Sequence, residues 1–95
     1  MEFDSIDAVR EEIDKVDQEV VALIARRGEC VKAAAQFKQD RAAVRAPDRV
    51  QQVIDKVRCQ AKAQGLSEEI IEQVYRAMIK AFIDYELQQH GELKA

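Results

Sequence analysis

Arg27 and Lys38 lie eleven residues apart, almost three whole turns of an α-helix. On one continuous helix they point the same way, with backbones about 16 Å apart. Two long cationic side chains close much of that gap and leave room for a small dianion over Val31 and Ala34. The chemistry such a pair serves is the holding of a compact anionic ligand. Arg10 differs: it precedes Arg27 by seventeen residues, about 25 Å along a helix axis, and is rotated off the shared face. It cannot share a small ligand with Arg27 within one chain, but in an antiparallel dimer Arg10 of the second chain reaches the first chain's site. Each cation also has an ordinary explanation. Lys38 suits a solvated helix end, Arg10 can pair with Asp14 four residues on, and Arg27 can pair with Glu86 across a core.

The element that must position these residues is written in the apolar spacing. Ile6, Val9, Ile13, Val16, Val20, Leu23, Arg27, Cys30, Ala34 and Phe37 stand alternately three and four residues apart, and only Arg27 is not apolar. So regular a stripe predicts one long helix buried against partner helices. A permanent charge on that stripe is costly unless paired, so an anion belongs opposite Arg27, either a protein carboxylate or a ligand.

The chain of 95 residues fits one domain, 1–95, and its 35% charged residues, three Gly and one Pro predict a compact helical protein. A net charge of −3 argues against nucleic acid as a partner. Between Arg26 and Arg49, however, seven cations face three acids, a local excess of +4, which again suggests a small anion unless it is only a solvated face. No apolar run approaches a membrane span, and the acidic opening Met1–Asp4 lacks a secretory apolar core. Cys30 and Cys59 read as small core or semi-buried residues in a reducing cytoplasm. Without CxxC spacing, and with His90 the single histidine, no metal site is expected.

Three helices are predicted. The first starts near Asp4 or Ser5, either of which can cap it, and runs to about Gln39. Residues 40–46 lose periodicity and read as a loop. Pro47 suits the first turn of the second helix, whose apolar face is Val50, Val53, Ile54, Val57 and Ala61 and whose stop is Gly65. Ser67 caps the third, with Leu66 and Ile71 placed as a hydrophobic staple and Ile71, Val74, Met78, Phe82 and Tyr85 as its seam. A first helix of roughly 34 residues is about 50 Å long, more than two shorter helices of the same chain can cover. An intertwined homodimer follows.

Four segments carry a resemblance. Ile6–Asp17 (IDAVREEIDKVD) followed by Leu23–Arg27 (LIARR) resembles the opening of the all-helical chorismate mutase family. Val31–Lys38 (VKAAAQFK) and Ala46–Val50 (APDRV) look most like its isochorismate pyruvate-lyase branch, and Gly65–Leu66 and Ile79–Leu87 continue the likeness over nearly the whole chain. The resemblance implies a domain-swapped dimer of three-helix subunits acting on a small dicarboxylate, chorismate or isochorismate, with no metal and no cofactor. It implies that Arg10 of the other subunit contacts one carboxylate and Arg27 the second. Lys38 approaches the ether oxygen, Arg49 lies at the mobile rim, and Val31 and Ile83 are apolar walls.

The implied reaction is pericyclic. Chorismate rearranges to prephenate, or isochorismate loses pyruvate to give salicylate. The protein restricts conformation and aims fixed charge at an ether oxygen that becomes negative as its C–O bond lengthens. Two positions depart from the common mutase pattern. Val50 stands where mutases often carry Glu, as in the lyase branch, and Glu86 stands where Gln is frequent. A glutamine amide donates a hydrogen bond at any pH, whereas a carboxyl donates only when protonated, so Glu86 is expected to act as a neutral acid or to leave activity weak at neutral pH. The expected function is chorismate mutase, with isochorismate pyruvate lyase as alternative. A non-catalytic helical dimerisation module is the rival, for which the seam suffices without Arg27, Lys38 and Arg49 together.

Overall fold

The computed structural model describes residues 2–37 and 40–94, with side chains at 2–37, 40 and 43–89. All regular secondary structure among the described residues is helical: α1 (Ile6–Ala35), α2 (Arg41–Arg45), α3 (Pro47–Ala63) and α4 (Glu68–Lys94). They fall into two compact units, residues 1–34 and 35–95.

The first unit is α1, and its start has a local cause. Ser5 Oγ accepts the Ala8 N–H at 3.1 Å and the Ser5 carbonyl accepts the Val9 N–H at 3.2 Å, so Ser5 rather than Asp4 is the cap. The helix stops at Ala35, short of the expected Gln39. Gln36 and Phe37 form a turn, and Phe37, the last position of the apolar stripe, is exposed. The very long first helix is present, yet none of its 30 residues is buried. Ile6, Ile13, Val16, Val20, Leu23 and Ile24 all stand exposed along it.

The second unit opens with a correction. Residues 40–46 are not a loop throughout, because Arg41–Arg45 form α2. Asp40 caps it, its Oδ1 accepting the Ala43 N–H at 2.8 Å. Val44 explains why so short a helix persists: it is 2% exposed, on a helix packed against α4. Ala46 then takes a left-handed conformation, φ 36°. A residue before proline is kept out of the right-handed helical region, so the chain must break here before Pro47 starts α3.

Between α3 and α4 the turn is built from backbone. The Leu66 N–H reaches the Ala61 carbonyl at 2.8 Å and the Gly65 N–H reaches Lys62 at 3.2 Å, a Schellman closure with Gly65 at φ 75°. Ser67 Oγ accepts the Ile70 N–H at 3.3 Å and starts α4. Leu66 and Ile71, the two positions of the expected staple, both line a groove shared with Val57, Ala61 and Tyr75. The buried apolar residues are Val44 from α2, Ile54, Val57 and Ala61 from α3, and Ile79 and Leu87 from α4. The seam expected on the last helix is therefore partly rotated. Val74 and Tyr85 are exposed, while Ile71, Met78 and Phe82 share the inward stripe with Tyr75, Ile79 and Ile83. Cys30 and Cys59 are free and exposed, not core residues.

Ion pairs set the register of α3 against α4. Arg58 Nη1 donates to Glu72 Oε1 at 2.5 Å and its Nε lies 3.7 Å from Glu68. Arg76 Nε donates to the other Glu72 oxygen at 2.7 Å, and its Nη2 donates to Gln51 Oε1 at 3.5 Å. The hydrogen bonds from Arg76 and then Arg58 hold the Glu72 carboxyl below its ordinary range.

Candidate active site

Arg58 on α3 faces Glu72 on α4, and Gln51 faces Arg76. Seven residues back along α3 thus correspond to four forward along α4. The two helices run antiparallel, so the first turn of α3, which carries Arg49, lies toward the C-terminal half of α4. Ile83 and Glu86 stand on that half, and α2, which directly precedes α3, also packs against α4.

Glu86 is the buried charged side chain among the described residues, 8% exposed. Its burial follows from its place on α4: three and four residues separate Ile79, Ile83, Glu86 and Leu87, the spacing of one helix face. Burial of a carboxyl is tolerable only with polar company, and among the described residues no buried side-chain nitrogen or oxygen lacks a hydrogen-bond partner. Ile83, one turn before, is half-buried and apolar. Arg49 is exposed and forms no ion pair among the described residues. The second unit thus carries an exposed cation on the first turn of α3, and an apolar wall and a buried carboxyl on the C-terminal half of α4.

In the first unit, Arg27 and Val31 are half-buried, one turn apart, with Gly28 and Ala35 on the same side. Arg26, Glu29, Cys30 and Lys32 around them are exposed, so Arg27 sits on the shielded stripe of the C-terminal half of α1. Arg10 is exposed on the N-terminal half. Its neighbour is Asp7, one turn earlier at 3.9 Å, rather than Asp14. An exposed pair of this kind holds its arginine weakly. Lys38 lies outside the described residues.

Two features were not read from the sequence. The anchoring of α2 by Val44 had a faint signal, a single branched apolar residue after an acid and two alanines. The link from Arg58 to Glu72 had none, since it joins residues fourteen apart, although Glu72 and Arg76 show the ordinary i,i+4 spacing.

Residues 9–87 match the family described as chorismate mutase type II. That span contains Arg10, Arg27, Val31, Lys38, Arg49, Ile83 and Glu86. The chain is also 35% identical over 75 residues to an isochorismate pyruvate lyase of Pseudomonas aeruginosa, an alignment that takes 79% of this chain and 74% of that protein. Among the described residues, no helix is long and apolar enough to cross a membrane.

Proposed function

The chain belongs to the chorismate mutase type II family and is an enzyme of mutase or lyase type, and on that premise we propose that it rearranges chorismate to prephenate. Residues 1–95 act as one catalytic domain, and two copies form the working enzyme. The observation that carries the site is Glu86, a buried carboxyl one turn after apolar Ile83 on the C-terminal half of α4, the half toward which the first turn of α3 and its Arg49 lie. A carboxyl in that setting serves a polar event on a ligand better than it serves packing.

The reaction breaks the ether C–O bond while a new C–C bond forms across the ring, so it requires a folded substrate and a stabilised oxygen. Arg27 of one subunit and Arg10 of the other hold the two carboxylates, with Val31 and Ile83 confining the ring between them. Lys38 and Glu86 flank the ether oxygen. As negative charge accumulates there, cationic Lys38 stabilises it without reorganisation, and Glu86 is the side chain placed to make a hydrogen bond to it. Arg49 closes the rim. Holding the chair-like conformer lowers the entropic part of the barrier.

The dimer is supported by α1, which leaves Ile13, Val16, Val20 and Leu23 exposed when the chain is alone. A second copy laid antiparallel along this stripe covers it and delivers Arg10. A cytoplasmic location belongs to the same proposal, supported by the free exposed thiols of Cys30 and Cys59.

A second reading is favoured by the lyase relative and by Val50. In it, isochorismate loses pyruvate: the same C–O bond breaks, a ring hydrogen moves to the enolpyruvyl methylene carbon, and the ring becomes salicylate. Product analysis with each substrate separates the two. Prephenate from chorismate is expected. Salicylate and pyruvate from isochorismate, with no prephenate from chorismate, replace the mutase reading by the lyase reading.

A further inference from the structure

α2 is pinned by Val44, and Arg45 follows it directly, exposed. Across Ala46 and Pro47, Arg49 is exposed on the first turn of α3. Neither arginine forms an ion pair among the described residues. Asp48 is the acid between them, and on the facing stretch of α4 Asp84 is already held by Lys80 at 2.7 Å. From Arg41 to Val50 the sequence has three arginines against Asp48 alone. The fold therefore fixes a positive rim at the α2 end of the hairpin, the end that carries Ile83 and Glu86.

Arg49 already has a place in the proposed site, whereas Arg45 has none. Resting on that functional reading, we propose that Arg45 is a guiding cation: it speeds capture of the dianionic substrate at the α2 end of the site without touching the reacting atoms. A unit charge about 10 Å from a dianion in water changes local ligand concentration about fourfold before screening. About threefold survives at 0.01 M ionic strength, where the Debye length is about 30 Å, and almost nothing at 1 M, where it is about 3 Å. Reversing the charge squares the effect, to roughly ninefold at low salt.

The test is steady-state turnover by wild type, Arg45→Ala, Arg45→Glu and Lys62→Glu across ionic strength. Lys62 is exposed at the far end of α3 and controls for net charge. Expected at low salt is a kcat/KM lowered about threefold in Arg45→Ala and roughly ninefold in Arg45→Glu. Both converge on wild type at 1 M salt, kcat is the same throughout, and Lys62→Glu tracks wild type. Wild-type turnover with Arg45 variants indistinguishable at low salt overturns the role of Arg45 alone. So does a loss that persists at 1 M salt, or an equal loss in Lys62→Glu. Wild type that turns over neither chorismate nor isochorismate overturns the functional reading and this inference with it.

Discussion

Ile13→Glu separates a working dimer from a free-standing chain. Ile13 lies on the N-terminal half of the α1 stripe and is 50% exposed in the single chain. Covering the remaining half of the side chain removes about 90 Å² from water, worth roughly 2 kcal/mol at ~25 cal/mol per Å². A twofold interface contains the position twice, so the loss is about 4 kcal/mol before the added cost of burying a carboxylate. That corresponds to roughly a thousandfold weaker dimer. On an uncovered helix face the same substitution changes stability by no more than about 0.5 kcal/mol. Sedimentation velocity over a concentration series is the assay, with a thermal melt on the same samples. Wild type is expected as a dimer of 10.8 kDa chains, and Ile13→Glu as a monomer with lowered Tm and no turnover, since Arg10 of the second copy is lost. A wild type that sediments as monomer at every concentration, or a variant with unchanged mass and Tm, refutes the reasoning.

Other consequences follow from single residues. Glu86→Gln should be at least as active as wild type at neutral pH, because a glutamine amide donates a hydrogen bond whatever the pH; a variant clearly slower than wild type removes the role given to Glu86. The Glu72 carboxyl, held below its ordinary value of 4.5 by Arg76 and Arg58, contributes stability that is present above that value and lost as pH falls through the lowered one. Urea titrations at pH 7 and pH 3 should therefore show a smaller acid loss in Glu72→Gln than in wild type. Gly65→Ala meets no atom within 4 Å but must hold φ near 75°, so its urea midpoint should fall by the equivalent of about 1 kcal/mol; an unchanged midpoint means that the turn relaxes.

The helix ends were legible where a side chain forces the local backbone. Ser5, Pro47, Gly65 and Ser67 each occupy the boundary position that their chemistry favours. The end of α1 was not legible, because Lys32–Phe37 keeps good helix formers and apolar spacing past the point where the helix stops. α2 escaped because five residues are too few for any period, and its anchor is tertiary, the burial of Val44 on a helix packed against α4. On α4 the choice between Val74 and Tyr75, or between Tyr85 and Glu86, depends on which stripe faces α3. The apolar seam follows hydropathy and selected the exposed members. Of the residues proposed for the site, Arg27 was visible as a charge interrupting a stripe. Glu86 was visible only as a departure from a family pattern, since hydropathy alone places an acid on the solvent side. Arg10 and Arg27 stand on opposite halves of one continuous helix, about 25 Å apart along its axis, so a small ligand cannot touch both in one chain.

The most direct measurement is prephenate formation by the purified protein against a buffer blank, with Arg27→Ala beside it and helicity checked by circular dichroism. Wild type should consume chorismate orders of magnitude faster than the blank, and Arg27→Ala should retain its helicity yet lose nearly all of that rate. A wild type no faster than buffer, or an Arg27→Ala variant as fast as wild type, contradicts the claim that fixed charge on this helical scaffold drives the rearrangement.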